Sequence, residues 1–496
     1  MKIIIKQIFL LIPLYFFMQP DPPPQPFGPT PSERQLEWHT MKYYAFIHFG
    51  LNTFTDREWG FGNESPAIFN PTELDCRQWA RVARDAGMEG IIITAKHHDG
   101  FCLWPSQFTE HSVKNSPWRD GEGDLIAELS EACREYGLKF GIYLSPWDRN
   151  HALYGTPAYI DYYRSQLREL LTNYGEIFEV WFDGANGGDG YYGGSNETRR
   201  IDNTTYYDWE NTWKIVRELQ PGAVMFSDGG PDIRWIGNER GYADETNWCT
   251  MPGNMLYPGI GGVNELLQKG NEEGDTWLPA EVNTSIRPGW FYHESQDSSV
   301  KSIPQLADIW MHSIGMNGNL LLNLPVDRRG LIHENDIAAL MGLRRIVDSS
   351  FNVNYALEAD ISASNVRGDS REFSPSNLSD GNSSTYWATD DGVNSASIEI
   401  SMKSPNLIDA LMIQEYIELG QRITGFSVEI YSEGGWKEVS SGTTVGNRRI
   451  VNFKPVETGL IRVNLKARAC PIISNIEIYQ TGLLSLQEQL NEKDGE

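Results

Sequence analysis

Cysteine is scarce. Only Cys76, Cys102, Cys133, Cys249 and Cys470 occur in 496 residues, with no CxxC pair and no regular spacing. So sparse and odd a set excludes a disulfide framework and a zinc-ribbon site, and leaves the thiols as small buried apolar groups. Positive charge is scarce as well. Lys and Arg number 41 against 67 acidic residues, the net charge is −26, and no run holds five basic residues. Such a chain repels phosphate backbones and anionic lipid, so nucleic acid is excluded as a partner and a neutral substrate is favoured. No GxGxxG turn follows any apolar run, which argues against a dinucleotide-binding sheet.

Long apolar runs are missing too. The exception, 8–18 behind Lys2 and Lys6, is too short for a spanning helix, so residues 1–20 read as an export signal. The expected location is outside the cytoplasm, in the periplasm or at the cell surface if the source is bacterial. No membrane-spanning domain is expected in the mature protein. Pro20, Pro22, Pro23, Pro24 and Pro26 then make 21–37 a stiff, extended linker.

What is present is an alternation. Apolar runs at 44–49, 90–95, 139–144, 179–182, 223–227, 278–282 and 320–324 are dense in Ile, Val, Phe and Leu, as strands covered on both faces are. Amphipathic helical stretches lie between them. In 75–87, Trp79, Val82, Ala83 and Ala86 recur at i, i+3, i+4 and i+7; in 124–136 the stripe is Leu125, Leu129, Ala132 and Tyr136, with Gly137 as C-cap. Seven or eight such units predict an α/β fold, a (β/α)8-like TIM barrel over 38–351. After 352 short β-rich segments at 397–400, 410–415, 425–431, 449–453, 460–465 and 473–479 alternate with Gly, Asn, Ser and Pro. They predict an all-β sandwich of jelly-roll type over 352–482, with a polar tail at 483–496.

A parallel barrel carries its site at the C-terminal ends of its strands. There the runs lead into His48-Phe49-Gly50, Lys96-His97-His98-Asp99, Tyr143-Leu144-Ser145, Trp181-Phe182-Asp183-Gly184 and Ser227-Asp228-Gly229. Carboxylates with Trp, Tyr and His but no phosphate loop suit sugar recognition, and glycoside hydrolysis needs two carboxyl groups. Asp99, Asp183, Asp228, Glu239 and Glu281 are the candidates. His97 and His98 are neighbours, so strand alternation predicts that one faces a ligand and the other the structure.

The ordered motifs His48-Phe49-Gly50, Arg57-Glu58-Trp59-Gly60, Lys96 to Phe101, Trp181 to Gly184 and Gly315-Met316-Asn317-Gly318-Asn319 resemble glycoside hydrolase family 29, the α-L-fucosidases. The resemblance spans roughly 38–350. It implies an exo-acting retaining enzyme that releases terminal L-fucose from oligosaccharides or glycoconjugates, with neither metal nor organic cofactor. Asp183 matches the family's nucleophile. Glu239, in the run 231–239, resembles the acid/base of the subfamily preferring α-1,3 and α-1,4 linkages, with Glu281 and Glu245 as alternatives. His48, Glu58, Trp59, His97, His98 and Tyr143 match positions that contact fucose hydroxyls. Trp181 lies beside the nucleophile, and Trp290 resembles the aromatic against the sugar's methyl group. Residues 375–391, with Asn377-Leu378-Ser379-Asp380-Gly381, look like the start of a discoidin-like, galactose-binding-type module. Three other readings stay open at this point. They are a broad-specificity fucosidase, a metal-dependent hydrolase using His48, His97, His98 and Asp183, and a glycan-binding protein with an inactive barrel.

Overall fold

The computed structural model describes residues 22–253 and 257–485. The expected signal over 1–20 lies outside the described residues, as does the tail from 486 onward. Eight parallel strands close into a barrel in sequential order: β1 Tyr43–Ile47, β2 Gly90–Lys96, β3 Lys139–Leu144, β4 Glu179–Trp181, β5 Val224–Ser227, β6 Ile233–Trp235, β7 Ala280–Ser285 and β8 Asn319–Asn323. The seven apolar runs supply seven of them. β6 is the strand the apolar pattern does not mark. It follows β5 after five residues with no helix between, because the register pairs Phe226 with Ile233 and Ser227 with Arg234. The chain therefore backs up by little more than one strand residue, and five residues span that gap. Asp232 secures the turn by accepting from the Met225 amide and from Arg217.

The helices form where their caps predict. Asp75 accepts from the Arg77 amide at the start of α1 (Cys76–Asp85), and Asp124 accepts from Ala127 at the start of α2 (Leu125–Tyr136). Gly137 ends the latter at φ 71°, a left-handed position that glycine occupies without strain.

Side chains alternate across each strand. On β1, Tyr43, Ala45 and Ile47 face the helices, while Tyr44 and Phe46 face inward. The interior is a stack of layers. Trp38, Tyr44, Glu179 and Glu281 lie deepest, bonded to one another. Above them come Phe46, Tyr143, Trp181 and Phe226 in one apolar cluster. His48 and Asp183 continue the β1 and β4 ladders at the rim.

The C-terminal domain is antiparallel. Its strands are β9 Asp360–Ala363, β10 Trp387–Ala388, β11 Ser395–Glu415, β12 Ile423–Ser432, β13 Gly435–Gly442, β14 Arg449–Ala467 and β15 Ile472–Tyr479, in the order β10-β15-β11-β14-β12-β13 with β9 on β11. Segments 397–400 and 410–415, expected as separate strands, are two halves of β11. Likewise 449–453 and 460–465 are halves of β14. Register shifts between Ser401 and Asn406, and between Ile408 and Ala410, absorb Pro405 without ending the strand.

The two domains are bonded directly. Gln421 accepts from the Cys249 amide and Thr444 from the Asn247 amide. The proline-rich segment lies against the β domain: Arg367 donates to the Pro22 carbonyl, Arg422 to that of Gln25, and the Phe27 amide to Leu419. All five cysteines are buried and free. Among the described residues no helix is long and apolar enough to cross a membrane.

Candidate active site

A cavity of about 180 Å³ opens at the C-terminal rim of the barrel. It is lined by Phe46, His48, Glu58, Trp59, His97, His98, Tyr143, Trp181, Asp183, Ala185, Glu239, Asn283 and Trp290. Ten of these are positions singled out from the sequence; Phe46, Ala185 and Asn283 are not.

Asp183 stands two residues beyond Trp181 on the same face of the β4 run. Its Oδ1 accepts from the Ala185 amide at 2.7 Å, and its Oδ2 accepts from the Tyr143 hydroxyl at 2.9 Å. Both oxygens are thus oriented by neutral donors, with no cation in direct contact. The nearest ring nitrogen, His98 Nε2, lies 3.8 Å from Oδ2. Glu239 comes from the loop after β6, and its Oε2 accepts from the Trp290 indole at 3.3 Å. Burial pushes its carboxyl above the usual range, and the charges of Asp183 and Glu58 push the same way against that hydrogen bond.

The three rim histidines are neutral. Burial drives His48 down to about 3 and His98 to about 4, and holds His97 well below the ordinary imidazole range. Asn323 fixes His48 by accepting from Nδ1 at 2.7 Å, while its own amide donates to Ser285 and to the Trp290 carbonyl. That leaves His48 Nε2 as an acceptor. Ser145 similarly takes the His98 Nδ1 hydrogen at 2.7 Å, since its hydroxyl donates to the Trp147 carbonyl. The expected split between His97 and His98 does not occur, and both line the cavity. β2 ends at Lys96, so strand alternation no longer governs the two residues after it.

Glu58 bridges to the Trp290 side of the cavity. Its Oε2 accepts from the Trp290 amide at 2.9 Å and its Oε1 from His293 Nε2 at 2.7 Å. His293 Nδ1 in turn meets Asp56 at 2.8 Å. Burial pulls His293 down, but the two flanking carboxylates outweigh it and raise the imidazole. Nothing in the sequence marked His293, because its partners come from a loop some 235 residues away. Trp59, 53% exposed, forms the outer rim with its ring edge-on to His98 and Trp147. Asn283 was within reach of a sequence argument: it lies two residues after Glu281 on β7, hence on the same inward face.

Glu281 and Glu245, the other two candidates for the acid/base, do not line this cavity. Glu281 is fully buried below the cavity, its carboxylate taken by Tyr44 and Trp181. Glu245 sits at the contact between domains, where Arg449 approaches its carboxylate at 3.4 Å and bonds its carbonyl at 2.8 Å. Asp99 and Asp228 do not line the cavity either; they accept from the amides of Phe101 and Gly259. Among the described residues no group of three or more His, Cys, Asp or Glu is arranged to hold a metal ion.

A parallel barrel with three carboxyl groups, neutral imidazoles and aromatic walls around one small rim cavity defines a carbohydrate-cleaving hydrolase. The α-L-fucosidase family description matches residues 28–347, and the F5/8 type C domain description matches 360–478. α-L-Fucosidase 1 of Arabidopsis thaliana is 44% identical, covering 92% of this chain and 89% of its own length. A glycoside hydrolase 29 family member from an unknown rumen bacterium superimposes with a TM-score of 0.81 at 46% identity, over 92% of this chain and 78% of that one. The Ruminococcus gnavus glycoside hydrolase 29 fucosidase, solved in complex with fucose, gives a TM-score of 0.84 at 31% identity, over 93% and 97%. The chain belongs to the α-L-fucosidase family, glycoside hydrolase family 29, and carries a C-terminal F5/8 type C domain.

Proposed function

We propose that this enzyme releases terminal L-fucose with retention of configuration, Asp183 acting as nucleophile and Glu239 as acid/base. The observation that carries the reading is that both carboxyl groups open on one cavity of about 180 Å³. Ligand sites for larger molecules run to roughly 300–1,000 Å³. This one suits a single terminal sugar, and retaining enzymes hold their carboxyl groups only about 5–5.5 Å apart.

In the first step an Asp183 oxygen attacks the anomeric carbon while the glycosidic C–O bond breaks and Glu239 gives its proton to the departing oxygen. In the second, Glu239 takes a proton from water as that water attacks the same carbon and the Asp183 ester bond breaks. Tyr143 and the Ala185 amide aim the nucleophile. The neutral histidines, Glu58 and Trp59 engage hydroxyls, and the Phe46 and Trp290 rings face the methyl carbon that distinguishes fucose from other hexoses.

The natural substrates in this reading are α-1,3- and α-1,4-fucosylated branched glycans, a preference supported by the run 231–239 around Glu239. Side-by-side hydrolysis of α-1,2-, α-1,3- and α-1,4-fucosylated oligosaccharides, with proton NMR of the first product anomer, tests both halves. Early α-fucose from the α-1,3 and α-1,4 substrates is expected. Early β-fucose overturns retention, and equal rates on α-1,2 substrates or aryl fucosides support the broad-specificity alternative. Export of the enzyme, to periplasm or cell surface in a bacterium, follows from the pattern of Lys2, Lys6 and the apolar stretch 8–18. N-terminal sequencing of the mature protein checks it: a start beyond about residue 20 is expected, and an intact Met1 overturns it.

A further inference from the structure

Two fully buried carboxyl groups lie beneath the cavity, and the proposed chemistry uses neither. Glu179 opens β4 and Glu281 is the second residue of β7, both turned into the barrel. Glu281 accepts twice, from the Tyr44 hydroxyl at 2.5 Å and from the Trp181 indole at 2.9 Å. Trp38 Nε1 serves both Glu179 Oε2, at 3.2 Å, and the Tyr44 oxygen, at 3.0 Å. No Lys, Arg or His among the described residues pairs with either carboxyl group. Glu179 Oε1 has no donor at all, and the Glu179 and Glu281 carboxyl groups stand within hydrogen-bonding reach of each other.

Two ionised carboxylates cannot share a site that excludes water and holds no cation. A buried oxygen without a donor beside a carboxylate is satisfied if it carries the hydrogen itself. The donors divide unequally. Glu281 already receives two and Glu179 Oε1 receives none, so the hydrogen belongs on Glu179.

We propose that Glu179 and Glu281 hold one proton between them, carried by Glu179 and donated to Glu281, and that ionised Glu281 is the positioning residue that fixes Trp181 in the floor of the fucose site. Trp181 is then held at two points. Its face stacks on Phe226 at 4.0 Å and 11°, and its N–H is anchored on Glu281. Its ring lies 5.4 Å from that of Tyr143, whose hydroxyl donates to Asp183. A tilt of the indole therefore reaches the carboxylate that the reaction uses. Burial pushes both carboxyl groups of the pair upward, as a shared proton requires. The inference rests on the fucosidase reading only in calling the cavity a fucose site.

Two isosteric substitutions separate this role from simple space filling. In Glu179→Gln an amide N–H takes the place of the shared proton and every partner is kept. In Glu281→Gln one acceptor oxygen becomes an NH₂ group facing donors, and either Trp181 or Tyr44 loses its acceptor. With an aryl fucoside, Glu179→Gln is expected to stay within about twofold of wild type. Glu281→Gln is expected to lose about tenfold or more in kcat/KM, chiefly through KM, with altered near-ultraviolet circular dichroism from Trp181.

Infrared spectra near pH 9 supply the second readout. That is above Asp99, Asp228 and Glu415, each pushed by burial to about 7. A protonated-carboxyl band is expected there in the wild type and is expected to vanish in Glu179→Gln. Equal losses in the two variants, or a wild type without that band, overturn the proposal. If Glu281→Gln fails to fold, Glu179→Gln still decides, because lost activity or a surviving band counts against it. Failure of the fucosidase reading itself shows differently, as full activity after replacement of Asp183 with the infrared result unchanged.

Discussion

Asp183→Asn is expected to lower kcat for fucoside hydrolysis by about 10⁴-fold or more while leaving the fold intact. An amide oxygen is too weak a nucleophile to form the fucosyl ester, so the first step has no covalent route. The substitution keeps the shape of the side chain, and its carbonyl oxygen can still accept from the Ala185 amide or the Tyr143 hydroxyl that now orient Asp183. Thermal unfolding should therefore move little, which separates lost chemistry from lost structure. A companion variant tests the geometry. Asp183→Gly opens space beneath the anomeric carbon, and added azide should restore turnover of an aryl α-fucoside by giving the β-fucosyl azide. Residual activity within tenfold of wild type, or rescue with the α-azide as product, would sink the nucleophile assignment.

The second large effect belongs to Glu239. With an oligosaccharide, Glu239→Gln is expected to lose about 10²–10⁴-fold, equivalent to roughly 3–5 kcal/mol of barrier, because a sugar alkoxide leaves only when protonated. An aryl fucoside whose phenol leaves readily needs no such help in the first step, so the fucosyl-enzyme should accumulate and a burst should appear. The pH dependence carries an independent sign. The general acid works in its protonated form, and burial with the nearby charges of Asp183 and Glu58 raises its carboxyl. Activity of the free enzyme should persist above the ordinary glutamate range and fall as pH rises through the raised value. That alkaline limb should disappear in Glu239→Gln. Equal losses with both substrates, or an unchanged limb, would assign the proton to another group.

Much of this was legible without coordinates, for identifiable reasons. Parallel strands covered on both faces write dense apolar runs, and seven of the eight barrel strands are marked that way. β6 left no such trace, because Ile233, Arg234 and Trp235 form a three-residue strand packed directly after β5 with no helix to punctuate it. The long strands β11 and β14 were read as separate pieces because Pro405, Asn406 and Gly459 look like breaks, whereas register shifts let the ladders run on. Glu281 resembled an acid at a strand end only while the strand's bounds were unknown. Starting β7 at Ala280 puts that carboxylate deep inside the barrel.

Order along the chain and residue chemistry by themselves determined the barrel and its rim, because strand periodicity and rim position are local properties. Which histidines face the cavity, which glutamate lies buried against Tyr44 and Trp181, and that His293 joins Asp56 to Glu58 were decided only by tertiary structure. Those outcomes depend on where a strand stops and on partners up to about 240 residues away, and both are set by barrel closure. The same closure excludes water from the interior, which is why two glutamates there share one proton rather than carry two charges.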